Sequence, residues 1–349
     1  MHSVIRDGNR DDLPYSEEEA IALYRDMVRT RRFDERALAL QRRGWMSGYP
    51  PYRGQEASQV GAAHALSDDD WLFPTYRSNA LQIARGVPMS DIFAFRRGHP
   101  EYYSDHDIPV FPQAVPIATQ IPHAAGAGMA RNYAGSDEAM LVCFGDGATS
   151  EGDFHEGLNF AGVFDAPVVF FCENNGWAIS LPRSEQTASK SIAAKADAYG
   201  ITGVQVDGND PLAVKQTVED SLAAAKDGSP VLVESLTYRQ GAHTTADDPS
   251  RYRDDEPDLP QWRLQDPLDR YESFLVDETI LTEKLIEEIR AETDQELSEE
   301  IEIVEAIERP SPDELFEHLY ATPTSELEQS RRELKKHLGR HDPYDLDLA

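Results

Sequence analysis

Apolar residues along this chain follow two rhythms, and their alternation sets the expected fold. Ala139 to Phe144, Pro167 to Cys172 and Val231 to Leu236 are short, mostly apolar runs, with Val204-Gln205-Val206 a shorter fourth. Runs of this length bounded by Gly or Asn predict buried strands. Elsewhere the spacing is helical. Ser16 is followed three residues later by Glu19, a capping-box pattern, and apolar positions then fall at Ile21, Tyr24, Met27, Val28, Phe33, Leu38 and Leu40. This predicts a long N-terminal helix whose arginines, Arg29, Arg31, Arg32, Arg36, Arg42 and Arg43, form a solvated face. Helices are also expected over Gln55 to Leu66, Ser78 to Arg85, Met89 to Arg97, Thr119 to Tyr133, Pro211 to Ala225 and Thr282 to Arg309. Turn-rich or polar stretches at Gly44 to Gly54, Glu101 to Pro116 and Gln240 to Leu259 read as loops, the last as a mobile one. Strands alternating with helices predict an α/β fold, a mostly parallel sheet with helices on both faces. The expected divisions are a helical arm over 1–44, an α/β domain over 45–262 and a helical extension over 263–349.

Composition narrows the function classes. The formal net charge is −31, and only seven of the 33 basic residues are lysines. Such a surface repels nucleic acid and anionic membrane. The acids are spread along the whole chain rather than gathered in a tail, which suits a protein kept soluble in high salt, so a halophilic source is expected. No apolar stretch approaches the roughly 18–20 residues of a membrane helix. The polar first 20 residues lack the apolar core of a secretory signal. The only cysteines, Cys143 and Cys172, lie in expected buried strands and read as core residues of a reducing, cytoplasmic compartment.

Chemistry concentrates between Gly145 and Asn175. Gly145-Asp146-Gly147 follows one apolar run, and Asn174-Asn175 follows the next, with a helix-length stretch between. A strand–helix–strand crossover of this kind makes neighbouring parallel strands. Asp146 and Asn175 would then stand at adjacent carboxyl ends, where open α/β sheets bind ligands. A carboxylate and a carboxamide held together suit Mg²⁺, and the glycines let the backbone approach a diphosphate. A rival pattern, Gly126-Ala127-Gly128, fails as a dinucleotide fingerprint: its third glycine position is Arg131, and it follows a helical stretch rather than a strand.

The Gly145–Asn175 arrangement resembles the thiamine diphosphate motif. With YRGQEASQVGAA, FPTYRSNA, ATQIPHAAGAG, ENNGWAIS, VDGNDPLAV, TYRQGAHTTADDPSRYR and QDPLDRYESFL, the chain resembles the α subunit of the decarboxylating component of 2-oxo acid dehydrogenase complexes. That family includes pyruvate, branched-chain 2-oxo acid and acetoin dehydrogenases. The resemblance implies a thiamine diphosphate-binding fold with Mg²⁺ held by Asp146, Asn175 and the carbonyl of Trp177. It implies that Gly145, Gly147 and Ala148 cradle the diphosphate, that Tyr76 and Arg77 reach it, and that Ile117 supports the bent cofactor. It makes His243 the expected catalytic and cofactor-contacting histidine, a near-neutral proton carrier, in a loop that Arg239 and Tyr252 help order. Thr244 stands where some relatives carry a phosphorylated serine. Implied partners are a β subunit in an α₂β₂ heterotetramer, the lipoyl domain of the acyltransferase component and a small 2-oxo acid. The chain departs from the pattern at HPEYYSDHDIPV, where His106 matches no known position. Trp177 replaces a tyrosine, Glu173 precedes Asn174-Asn175, and Gly48 replaces a bulky aromatic.

Overall fold

The computed structural model describes residues 1–5, 14–113, 115–253, 258–308 and 311–340. Parts of three expected segments lie outside the described residues: 6–13 of the arm, 254–257 of the polar loop and 309–310 with 341–349 of the C-terminal extension. Ala114 does too.

The strands are β1 (Trp71–Phe73), β2 (Met140–Gly145), β3 (Val168–Asn174), β4 (Trp177–Ala178), β5 (Leu181–Pro182), β6 (Thr202–Asp207) and β7 (Val231–Leu236). Five of them form one sheet in the order β1-β2-β3-β7-β6, every pair parallel. The expected runs β2, β3, β6 and β7 are all present, and β1 was not anticipated. β2 and β3 pair from Met140↔Val168 to Gly145↔Glu173, so Asp146 and Asn175 leave the sheet at neighbouring carboxyl ends as expected. β4 and β5 make a separate antiparallel hairpin just beyond β3.

Helices cover the sheet: α1 (Glu17–Arg42), α2 (Glu56–Ala63), α3 (Asn79–Ala84), α4 (Met89–Arg96), α5 (Gln120–Ala134), α6 (Gly152–Val163), α7 (Arg183–Gln186), α8 (Pro211–Lys226), α9 (Gln261–Leu264), α10 (Pro267–Asp277) and α11 (Glu283–Glu305). α6 is the expected crossover from β2 to β3, and α8 carries β6 to β7. α5 and α6 approach so closely that a Cβ on Gly157 would meet Ile121 Cγ2 at 2.6 Å. An apolar core lies between these helices and the sheet, from Phe73 and Ile121 through Phe144, Phe154 and Leu158 to Phe170. Cys172 belongs to it, and Cys143 is likewise a buried free thiol.

α1 starts with the capping box read from its sequence: Ser16 Oγ accepts from Glu19 N, and Glu19 accepts from Ser16 N. The expectation for its arginines holds only in part. Arg36, Arg42 and Arg43 are exposed, but Arg31 is buried, its Nε donating to Glu56 at 2.7 Å and its two terminal nitrogens to Asp266 at 3.0 Å each. Arg29 bonds Asp26 and Glu296. Arg31 falls on the buried face of α1, where α2 and the start of α10 cover it, and Arg29 meets α11, so these charges are held in hydrogen-bonded pairs. Contacts divide the chain into two compact units, Met1–Val304 and Glu305–Ala349. The second contains α12 (Glu314–Glu317) and α13 (Ser325–Leu338), with Arg331 and Lys335 of α13 both bonded to Asp313. Among the described residues no helix is long and apolar enough to cross a membrane.

Candidate functional site

A cleft of about 630 Å³ opens at the carboxyl ends of β2 and β3. Every residue singled out from the sequence for cofactor contact, Tyr76, Arg77, Ile117, Gly145, Gly147, Ala148, Asn175, Trp177 and His243, lines it. Asp146 sits just behind its wall, 1% exposed. The backbone turns out of β2 into a tight helical turn over Asp146–Ser150 before α6 begins. A side chain on Gly147 would meet Ala178 Cβ at 2.7 Å, so only glycine lets this turn lie against the β4–β5 hairpin.

Asp146 is held in one direction only. Its Oδ2 accepts from Gln186 Nε2 at 3.2 Å, whereas Oδ1 is buried and has no partner among the described residues. Burial raises its carboxyl to about 6. An orphan carboxylate oxygen in the interior is costly unless a cation meets it. Asn175 is fixed on both sides of its amide: Oδ1 accepts from Trp177 N at 3.1 Å, and Nδ2 donates to Gln55 Oε1 at 3.0 Å. Asp146 and Asn175 thus bring a carboxylate and a carboxamide oxygen, donors of the hard kind that Mg²⁺ takes, to neighbouring strand ends. Among the described residues no group of three or more His, Cys, Asp or Glu side chains could hold a metal ion.

Arg77 comes from the turn before α3 and is 7% exposed. Its Nη1 donates to Pro51 O, and its Nη2 to His243 Nδ1 at 2.9 Å and His243 O at 3.0 Å. A guanidinium only donates, so His243 Nδ1 must accept and the imidazole carries its proton on Nε2. Burial, then Arg77 and Arg239, lowers the His243 pKa to about 4. His243 is thus a neutral imidazole at neutral pH, which differs from the near-neutral proton carrier expected. The physical reason is burial first, to which the guanidinium charges of Arg77 and Arg239 add. Tyr76 lies edge-on to the His243 ring, with centroids 6.2 Å apart.

The loop carrying His243 is irregular yet fastened. Arg239 donates to Ile179 O and, at 2.9 Å, to Tyr252 Oη. Tyr252 Oη and the His243 backbone N–H each donate to Asp247 Oδ2 at 2.6 Å. Arg253 donates to the carbonyls of Arg239 and Gln240. Thr245 and Tyr49 exchange bonds that tie the loop to the 44–54 segment. Arg239 and Tyr252 bond to each other within the loop, and Asp247, which joins Tyr252 to the His243 backbone, carried no signal in the sequence. Thr244 lines the cleft beside His243.

Ile117 stands 45% exposed at the rim with Val115 and Ile179, rather than in the core. His106 lies outside the cleft, in a surface depression with Tyr102 and Lys226, where its Nδ1 accepts from Ile108 N. The residues missed from the sequence are amides and an acid. Gln55 orients Asn175, Gln186 touches Asp146, and Gln59 donates to Glu173, which burial raises to about 7. A signal for them existed: α2 and its cap bury Gln55, Glu56, Ser58 and Gln59 together, and polar groups accumulate in a buried helix where a polar site must be served.

A parallel sheet flanked by helices, with a cleft at the carboxyl ends of its strands, defines an α/β protein with the architecture in which open parallel sheets bind ligands. The chain belongs to the dehydrogenase E1 component family, whose sequence profile matches residues 24–313. It is 44% identical over 335 residues to the 3-methyl-2-oxobutanoate dehydrogenase subunit alpha of Mycobacterium tuberculosis, covering 95% of this chain and 90% of that one. Over 320 residues it is 38% identical to the pyruvate dehydrogenase E1 component subunit alpha of Staphylococcus aureus, covering 89% and 85%. To the mitochondrial 2-oxoisovalerate dehydrogenase subunit alpha 2 of Arabidopsis thaliana it is 34% identical over 355 residues, covering 97% and 75%.

Proposed function

We propose that this chain is the α subunit of a 2-oxo acid dehydrogenase and that its cleft holds thiamine diphosphate with Mg²⁺. The observation that carries the reading is the partnerless, buried Oδ1 of Asp146 at the strand end next to Asn175. Asp146, Asn175 and the Trp177 carbonyl would hold the metal, which leaves positions for phosphate oxygens and water. The N–H groups of Gly147 and Ala148 would receive the diphosphate at the turn before α6, with Gly145 giving the backbone its close approach. Arg77 and Tyr76 supply a cation and an aromatic edge on the opposite wall, and Ile117 gives apolar support. When bound, the cofactor supplies the electron sink that decarboxylation of a 2-oxo acid needs, which no side chain offers. His243, with Nδ1 engaged by Arg77, keeps Nε2–H as a fixed donor to ligand oxygen and is the residue to which the catalytic role falls.

The substrate class is a small 2-oxo acid, whose acyl group passes to the lipoyl-lysine of an acyltransferase component. Gly48 supports room for an acyl chain, since nothing lies within 4 Å of where its Cβ would be. The exposed apolar rim of Val115, Ile117 and Ile179 supports a β subunit closing the cleft in an α₂β₂ assembly. Two buried free thiols support a cytoplasmic location, and the charge of −31 supports a salt-rich one. Activity is expected to rise on going from dilute buffer to molar KCl, and a fully active enzyme in dilute buffer that loses activity in molar KCl would refute the salt adaptation.

The test of function is calorimetric binding of thiamine diphosphate to the co-expressed α and β chains, with and without Mg²⁺. Binding is expected to require the metal, and Asp146→Ala is expected to abolish that requirement together with most of the affinity. Unchanged affinity in Asp146→Ala overturns the site. Decarboxylation by the isolated chain at the rate of the pair overturns the need for a partner.

A further inference from the structure

Gln55, which no role above requires beyond orienting Asn175, is fully buried, lines the cleft and has a side-chain nitrogen without a partner. The direction of that nitrogen follows from a donor that cannot be reversed. The backbone N–H of Trp177 points at Asn175 Oδ1, 3.1 Å away. Asn175 must therefore turn Nδ2 toward Gln55, and Gln55 must answer with Oε1, 3.0 Å away. Amide sense is assigned from such networks, and here every link is determined by the one before it. What remains is Gln55 Nε2, a buried nitrogen of a cleft-lining residue, with two protons and no acceptor among the described residues. A polar side chain buried at 0% exposure without its bond is the mark of a group whose partner arrives with the ligand.

The identity of the acceptor follows from position. Gln55 meets the cleft beside Asn175, to whose carboxamide it is bonded, and Asn175 leaves β3 next to the end of β2 from which Asp146 and Gly147 follow. Resting on the reading of the preceding subsection, we infer that Gln55 binds the ligand directly, its Nε2 donating to a diphosphate oxygen beside the Asn175 carboxamide. Gln55 then has two functions. Its oxygen sets the orientation of Asn175, and its nitrogen contacts the anion. The relay Trp177 N–H, Asn175, Gln55 converts a fixed backbone donor into a side-chain donor on the other side of the site.

The two functions separate in a double-mutant cycle measured by calorimetry on the α and β pair at saturating Mg²⁺, with thiamine diphosphate and with inorganic pyrophosphate. Gln55→Met is of similar volume and has no donor, and Gln55→Leu is the second variant if the first does not assemble. Ligand-free thermal unfolding establishes the fold of each. Gln55→Met is expected to weaken both ligands about tenfold, or ~1.4 kcal/mol. The same penalty is expected to persist when the substitution is made in an Asn175→Ala background. A penalty that vanishes in that background means that Gln55 acts only through Asn175, and overturns the direct contact. A penalty seen only in KM for the 2-oxo acid, with pyrophosphate affinity unchanged, assigns the donor to substrate and overturns it as well. If the unsubstituted pair binds neither ligand, it is the cofactor reading that fails. If it binds both and Gln55→Met equals it, the cofactor reading stands and the Gln55 contact falls.

Discussion

Replacing Gly147 by alanine tests whether the turn after β2 and the β4–β5 hairpin form one wall of the site. The added Cβ would lie 2.7 Å from Ala178 Cβ and 3.4 Å from Gln186 Oε1. Carbon atoms pack at roughly 3.5–4.0 Å, so about 1 Å of separation must be created. β2 is clamped between β1 and β3 and has little room to yield. The hairpin has strands of two residues each and carries exposed Ile179 and Leu181, so it moves instead. Overpacking of this kind costs about 1–3 kcal/mol. Because the hairpin is peripheral, most of that cost is expected in ligand affinity rather than in global stability. Trp177, next to Ala178, would move with it, and Mg²⁺ tolerates little departure from its ~2.0–2.1 Å oxygen distances. Calorimetry should therefore show thiamine diphosphate binding weakened by about tenfold or more, since ~1.4 kcal/mol is one decade. The thermal midpoint of the ligand-free protein should fall by only a few degrees, on the order of 2–4 °C per kcal/mol. Affinity within twofold of the unsubstituted protein, in a folded variant, would refute the reasoning.

Two further predictions concern protons. His243 is held down to about 4 by burial and by Arg77 and Arg239, so its neutral form contributes stability that is present above the ordinary histidine pKa near 6.5 and is lost as pH falls through 4. Arg77→Met should raise that pKa. Mass-spectrometric readout of His243 modification by diethyl pyrocarbonate should stay flat down to about pH 5 in the parent and begin to decline at a higher pH in the variant, where burial and Arg239 still hold the ring below its ordinary value, and coincident profiles would refute the coupling. Asp34, buried beneath Tyr49 and Tyr52, is raised to about 7 by burial and by Glu56, against the bonds from Tyr49 and Tyr52 and the charge of Arg31. Its contribution is fully present below the unfolded pKa near 4 and is lost as pH rises from there through 7. Asp34→Asn keeps an acceptor for Tyr49 without a charge, so denaturant unfolding should find it gaining on the parent between about pH 4 and 7; a difference independent of pH would refute this.

What the sequence made legible was whatever local chemistry punctuates. The crossover from β2 through α6 to β3 could be read because Gly145-Asp146-Gly147 and Asn174-Asn175 end two apolar runs, and pairing then forces their ends together. α1 could be read because its cap is local. β1 could not, since three residues between Asp70 and Pro74 carry no period, and the strand exists because β2 offers it an edge. The burial of Arg31 was illegible for a related reason: one helix face gives no sign that Glu56 and Asp266 will cover it. All nine cleft-lining residues expected from the sequence do meet in one cavity. The electrostatic state of His243 could not be read, because it depends on guanidiniums 166 and four residues away along the chain.

Beyond β3 and β7 the two strands stay in register: Thr237 N donates to Asn174 O, and Arg239 N to Asn175 O. The residue whose carboxamide would meet the proposed cation is thus also a backbone rung for the strand extension that leads into the His243 loop. A shift of Asn175 at one end of that rung is therefore carried directly into the backbone of the other.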